Sequence, residues 1–477
     1  YRPSTTRSVL RVFKVFFDGI LINCVIMASV TLAMTKIIKA ILHLSESPVI
    51  TIPVVGDITS TGILLLILGG SAVLYSCLSG LYGVVYTDLF QFVLAMIGCI
   101  GLSILVYVDA SRSEGGMVAL LSSSPGFTDS SIKFFPDFTS MDILSFTFVV
   151  YIFVGITGDQ GSGYFVQRLL ATRSEKDSFL AFLWYNICHY VLRPWPWILV
   201  GLLSLHYLPD LKDSESAFPL MMDKFLPVGL KGIMVASLLA AFMSTIDTML
   251  NCGSSYLVND LYRPFIKPGK TQRHYVFVSR ISMIVLTIIA LIVTTKLTGI
   301  LNAYKYLSVI LGGTGTVLIA RWYWWRVNAI TEVVAIVASF IVGNAVEILL
   351  PSTEGADLFA IRVLITTLSV TVLWVVVALF TSKQPNDKTI EFYSKLKVPG
   401  IGWKRVRDIT NINSTDGKFR YNFLGWISCV FFLYSLMLGI GKCLFHQWHW
   451  AGVYLVTAMI SGYLLKYSIS KISFMSK

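Results

Sequence analysis

About a dozen blocks of predominantly apolar residues occupy most of this chain. Each is close to the 20 or so residues that a helix rising 1.5 Å per residue needs to cross a hydrocarbon core of roughly 30 Å. The pattern predicts spans over about 8–43, 60–78, 81–108, 142–166, 177–207, 228–257, 276–299, 301–324, 328–350, 359–381, 421–444 and 449–469. The expectation is an all-α polytopic membrane protein in which residues 1–477 form a single transmembrane domain. The turn SGLYG makes a hairpin of the second and third spans. The span at 142–166 is interrupted by GITGDQGSGY, where Gly155, Gly158, Gly161 and Gly163 each weaken a helix by about 1 kcal/mol relative to Ala, so a break is expected there. The span at 177–207 carries NICHYVLRPWPW at its centre, and its two prolines predict a kink.

The polar stretches between spans alternate in charge. Arg2, Arg7, Arg11 and Lys14 precede the first span, and QRLLATRSEK (167–176), YRPFIKPGKTQRHY (262–275) and the long loop 382–420 are strongly basic. The intervening loops lack that excess. By the positive-inside rule the basic loops are cytoplasmic, which places both the N-terminus of this sequence and its C-terminus on the cytoplasmic side of a cell (inner) membrane. Aromatic runs such as RWYWWR and HQWHW fall at span ends, where amphipathic rings favour the interface, so they read first as belt residues.

Composition agrees with this pattern. With 55% hydrophobic and 13% charged residues among 477, the chain is not an ordinary soluble domain. The net charge of +12 is spread over alternate loops instead of forming one basic patch, which excludes a nucleic-acid partner. The seven cysteines show neither a CxxC pair nor metal spacing and are expected to be free, buried thiols. No Ser/His/Asp set and no phosphate-cradling loop is visible, so catalysis is not expected, and no obligate protein partner is evident. The opening YRPSTTRSVLRVFK has no initiator Met and no cleavable signal, which suggests a fragment.

The candidate chemistry centres on ASLLAAFMSTIDTMLNCGSS (236–255), in the middle of an expected span. Positions 241, 244, 245, 248 and 251 or 252 share one helix face, a polar stripe with Asp247 just off it. An ionisable residue in mid-membrane is costly unless paired, and a cation would pair it. Asp88, in GLYGVVYTDLFQ, lies at a similar depth, on the order of 12–15 Å from the inner boundary at 1.5 Å per residue. The oxygen donors Asp88, Ser244, Thr245, Asp247 and Thr248 suit Na⁺ or another hard cation and not zinc. The alternative is that these hydroxyls bond to their own helix and each Asp pairs with a neighbouring donor. Arg193, near the centre of its span, needs an anion: Asp159 or a carboxylate on a substrate.

The stretch LLAAFMSTIDTMLNCGSS, together with GLYGVVYTDLFQ and YFVQRLLATRSEKDS, resembles the sodium/solute symporter family, whose best-known members are the sodium/glucose cotransporters. The resemblance covers nearly the whole chain. It implies an inverted-repeat (5+5) transporter core followed by four C-terminal helices, with substrate and ions near the bilayer midplane. Tyr1 would fall before the third core helix, so the first two core helices would be absent from this sequence. Ala241 (backbone carbonyl), Ser244 and Thr245 would then be half of the main sodium site, and Asp88, Asp247 and Thr248 a possible second one. Sugar transporters of the family carry Ser or Thr where Asp247 stands. Asp159, Gln160, His189, Arg193 and Asn302 fall near the family's substrate positions, although each can instead be a structural hydrogen-bonder. The resemblance thus implies sodium-coupled import of a small polar solute, a sugar first of all, with Na⁺ as the coupling ion and no other cofactor. An organic acid, sugar acid or amino acid is the alternative substrate, and a membrane sensor module the alternative of another class.

Overall fold

The structure, a computed structural model, describes residues 5–45, 48–52, 56–78, 81–136, 143–157, 169–351, 358–398, 400–412 and 416–471. In chain order, α1 (Thr5–Lys14) passes through a π-helical stretch, Val15–Ile22, into α2 (Asn23–Leu42). A small antiparallel hairpin of β1 (Pro48–Ile52) and β2 (Gly56–Thr59) follows, in a loop where the apolar pattern marks no element. Next come α3 (Ser60–Leu78), α4 (Leu81–Ser111), α5 (Gly116–Ser122), α6 (Ile143–Thr157), α7 (Glu175–Asn186), a π-helical turn at Ile187–Leu192, and α8 (Pro194–Tyr207). Then α9 (Ala217–Phe225) leads into α10 (Val228–Ser255), which runs on as a π-helical stretch, Tyr256–Ile266, before α11 (Gln272–Thr294), α12 (Ile300–Tyr323), α13 (Ala329–Leu349) and α14 (Phe359–Thr381). The remaining helices are α15 (Asp387–Leu396), α16 (Lys404–Thr410), α17 (Asp416–Leu444) and α18 (Trp448–Lys471).

Among the described residues, 10 helices are long and apolar enough to cross a membrane. One expected span is described only in part, and another is built differently from its sequence pattern. Of 142–166, α6 is described to Thr157, and the glycine-rich run from Gly158 onward lies outside the described residues. The stretch 177–207 is two helices, because Pro194 has no N–H for a helix running through it and instead opens α8, where the missing donor costs nothing. The π-helical turn before it is closed by the Arg193 N–H donating to the Cys188 carbonyl at 3.1 Å, five residues back.

The chain divides into two compact units, residues 1–132 with 196–307 and residues 133–195 with 308–477. The core of the first unit is made by α2, α3, α10 and α11: Cys24, Met27 and Met34 meet Leu64, Leu68, Phe242, Ile246, Leu250, Met283 and Leu286. In lipid, such helices are held by close packing and interhelical hydrogen bonds, since lipid tails are as apolar as leucine. The Thr294 hydroxyl correspondingly reaches the Ala28 carbonyl at 3.4 Å.

In the second unit α12, α13 and α14 pack through small residues. The Ser339 hydroxyl donates to the Ile310 carbonyl, Gly313 lies against Ser339 and Val370, and the Trp374 indole donates to Thr316 at 3.0 Å. The α13–α14 connection is closed by a buried Arg362, which pairs with Glu347 at 2.8 Å and donates to the Leu350 carbonyl at 2.8 Å. Asn328 starts α13 with a reciprocal capping box, its side chain accepting from the Ile330 and Thr331 amides. Within the long loop 382–420, the described residues of 382–412 fold into a cap, with Trp325, Tyr393, Trp403 and Val406 forming its core. Trp325 is thus a core residue and not part of an interfacial belt. Trp322 and Tyr323 beside it, and Trp448 and Trp450 on α18, are exposed as belt residues should be. None of the seven cysteines is in a disulfide; only Cys24, Cys99 and Cys188 are buried, and Cys443 is exposed.

A Cβ on Gly402 would overlap the Tyr323 backbone carbonyl, which has no flexible end to give way. Gly402→Val should therefore detach the cap from the end of α12, costing about 1–3 kcal/mol. The checking measurement is faster proteolysis within 382–412 than in the parent protein, with α13 and α14 still protected.

Candidate functional site

Helix α10 starts after Pro227, whose extended backbone turns the chain into the helix, and runs 28 residues with its hydroxyls on the expected face. Its polar side chains first satisfy their own helix. Ser237 donates to the Met234 carbonyl at 2.8 Å, Thr245 to the Ala241 carbonyl at 3.1 Å, and Ser254 to the Asn251 carbonyl at 3.2 Å. For Thr245 this bond fixes the hydroxyl hydrogen toward Ala241 and leaves its lone pairs for an acceptor's role. The local bond and the cation-ligand reading are therefore compatible. Ser244 and Thr248 are half-buried beside it.

Asp247 is 2% exposed. Asn251, one turn on, donates to both its Oδ1, at 3.0 Å, and its backbone carbonyl, at 2.9 Å. On the next turn, Asn23 at the start of α2 is likewise buried and donates across the helix pair to the Met249 carbonyl at 2.8 Å. It also reaches back to the Gly19 carbonyl at 3.4 Å, inside the π-helical stretch. Gly253 makes this approach possible, since a Cβ there would collide with the Asn23 amide and come within 2.7 Å of Leu286. Asn23 is a residue that sequence reasoning missed. Its signal was a lone amide in the apolar run GILINCVIM.

Helix α4 runs antiparallel to α10. Gly98 lies against Met234 and Gly101 against Leu230, positions where any side chain would crowd the neighbour. At equal rise that register carries position 88 level with about 244 on α10. The Asp88 side chain itself lies outside the described residues.

A second polar cluster, also unforeseen from sequence, closes one end of the first unit. Lys36 on α2 binds Asp213 at 2.8 Å and Glu215 at 2.7 Å, and Glu215 accepts from the Leu301 amide at 2.9 Å, capping α12. Burial by itself would raise both carboxyls. Hydrogen bonds from Lys36 and Ser216 to Asp213, and from Lys36 and the Leu301 and Ile300 amides to Glu215, outweigh it and hold them below their ordinary values of 3.8 and 4.5.

Asn302, in the first unit, is exposed and donates to the Thr298 hydroxyl at 3.1 Å. In the second unit, Arg193 meets the His189 ring nitrogen Nδ1 at 3.2 Å, and His189 stacks on Tyr185 with centroids 5.2 Å apart. Asp159 and Gln160, including the proposed Arg193–Asp159 pair, lie outside the described residues.

Oxygen donors and a buried carboxylate thus lie in the middle of a helix long and apolar enough to cross a membrane, where an ionisable group is costly unless it is answered. The description "Sodium:solute symporter family" matches residues 58–343, well over half of the sequence, and the chain belongs to that family. It is 25% identical over 296 residues to a sodium/glucose cotransporter of Vibrio parahaemolyticus, covering 56% of this chain and 54% of that one. The high-affinity proline transporter PutP of Bacillus subtilis (strain 168) is 25% identical over 268 residues, with 55% and 54% covered. The sodium/sialic acid symporter SiaT of Proteus mirabilis (strain HI4320) is 25% identical over 317 residues, with 62% and 60% covered. The chain thus spans little more than half the length of these curated relatives. A substrate-bound, outward-open Na⁺-coupled sialic acid symporter shares its fold, with a TM-score of 0.58 at 20% identity over 79% of this chain and 75% of that one. The fold is the inverted-repeat transporter core that the resemblance implied.

Two expectations follow. Asn23→Leu keeps the volume but removes the donor that the Met249 carbonyl accepts from in addition to its own helix, and should cost about 0.5–1.5 kcal/mol. Its thermal unfolding in detergent should drop accordingly, and Asn23→Gln should not restore it, because the longer amide meets Gly253. Because Asp213 and Glu215 titrate below their ordinary values, the stability they confer is present above 3.8 and 4.5 and is lost as pH falls through their native values. Hydrogen exchange at the start of α12 should accelerate in acid for the parent protein. In Glu215→Gln it should already be faster at neutral pH, with a smaller acid step.

Proposed function

We propose that this chain belongs to a sodium-coupled secondary symporter that imports a small polar solute, with sugars the leading class. The observation that carries the proposal is the face of α10: Ala241, Ser244 and Thr245 present a carbonyl and two hydroxyls within the stretch matched to the family. These three serve as ligands of the main sodium ion. Asp247 and Thr248, with Asp88 level with them on α4, serve as a second cation site, in which Asn251 steadies the Asp247 carboxylate. Asp159, Gln160, His189, Arg193 and Asn302 are the proposed substrate residues.

Each sodium ion favours the state open to the outside, solute binds near the midplane, and rearrangement of the bundle releases both to the cytoplasm, where the basic loops lie. Coupling requires only that both ligands favour the same state. No covalent step is involved, so the chain is not an enzyme. Its place is the cell (inner) membrane, with the N-terminus of this sequence and its C-terminus inside.

The sialic acid symporters among its relatives favour a second reading, in which the solute is a sugar acid. Uptake by the full-length protein in proteoliposomes, driven by a sodium gradient and assayed with sugars, sugar acids and amino acids, distinguishes the two. Ser244→Ala combined with Thr245→Ala should raise the sodium concentration for half-maximal uptake at least about tenfold, which corresponds to roughly 1.4 kcal/mol. Saturable uptake that ignores the sodium gradient would overturn the proposal.

A further inference from the structure

The cap formed by 382–412 carries features that its own core does not explain. Ile401 is 90% exposed, the most exposed large apolar side chain in the described residues. It immediately precedes Gly402, whose backbone lies against the Tyr323 carbonyl and accepts from the Trp325 amide at 3.4 Å. Trp403, on its other side, donates its indole N–H to the Trp322 carbonyl at 3.0 Å and stacks on Phe392. Ile401 is therefore held at the level where the membrane-spanning helix α12 ends, beside the exposed Trp322 and Tyr323. That level is the interface between hydrocarbon and headgroups, where aromatic belts sit.

The same segment is basic. Residues 382–412 carry seven Lys and Arg against three Asp and Glu. Lys404 and Arg405, directly after Trp403, are exposed. The guanidinium groups of Arg405 and Arg326 lie over the Trp325 ring, 5.8 Å and 5.3 Å from its centroid, and Arg321 lies 5.8 Å from the Trp322 centroid. This arrangement sets cations at the height where phosphate groups lie. Both ends of the cap lead into membrane spans, α14 and α17, so it stays within reach of one leaflet.

We propose that this cap is a membrane-interface anchor: Ile401 inserts into the leaflet at the end of α12, while Lys404 and Arg405 bind the headgroups of anionic phospholipids. The occupant is the protein's own bilayer. Apolar insertion and charge act together, as in interfacial anchors that combine an inserted residue with a basic patch. The inference rests on the membrane fold and the cap, and stands whatever solute is carried.

A test uses the chain with Ile401→Cys, labelled with bimane in a Cys443→Ser parent, in vesicles of phosphatidylcholine with or without phosphatidylglycerol. Quenching by lipids spin-labelled near the headgroup should be strong with phosphatidylglycerol and weaker without it. Adding Lys404→Gln and Arg405→Gln should raise the ratio of label open to water over label in the leaflet by about five-fold per charge removed, and soluble glycerol phosphate should leave the quenching unchanged. A label open to aqueous iodide in every vesicle, or quenching that is indifferent to anionic lipid, overturns the proposal. Protection that appears only when a soluble protein is added would make the surface a protein-docking site, and would equally overturn it.

Discussion

The amide of Asn23 donates across two helices to the Met249 carbonyl, and the geometry of the α10 face depends on it. A carbonyl in mid-membrane has no water to turn to, so a buried side-chain donor is both favourable and directional. The π-helical stretch at Val15–Ile22 brings Asn23 to that point, and Gly253 leaves room for it. Asp247 lies two residues before Met249 and is steadied by Asn251, four residues on. A shift of α2 would therefore move the carboxylate and the hydroxyls together.

The same constraint orders the rest of the molecule. Two charges at span ends are answered in this way: Arg362 has Glu347 and the Leu350 carbonyl, and Lys36 has Asp213 and Glu215. Glu215 does two things at once, neutralising Lys36 and capping the positive end of α12. Close approach is secured by glycine at the crossings that matter, Gly98 against Met234 and Gly313 against Ser339, where packing supplies the attraction that lipid cannot.

Much of this was legible in the chain itself. Runs of apolar residues announce membrane spans, because no other solvent would accept them, and the motif around Ser244 and Asp247 resembled the family that the comparisons then showed. The alternative to cation binding, that the hydroxyls of α10 bond within their own helix, describes the bond that Thr245 makes. Other features left too faint a trace. A single Asn in an apolar run does not name its partner 226 positions away, and the acidic outer loop does not reveal that Glu215 will meet Lys36 and α12. The tryptophans of RWYWWR read as one belt but divide into Trp322 at the surface and Trp325 in the cap core, because whether a ring is covered depends on where a loop 80 residues later folds back.

The sequence by itself determined that the chain carries many membrane-spanning segments, which of the loops between them are basic, and which helix carries oxygen donors, since these follow from local composition and the fixed rise of a helix. Tertiary structure decided which of those groups meet. It broke the stretch around Pro194 into two helices and set Asn23 on the Met249 carbonyl. It also folded residues 382–412 onto the end of α12. Those outcomes turn on contacts between residues far apart in the chain, where a single Cβ or amide decides how closely two backbones approach.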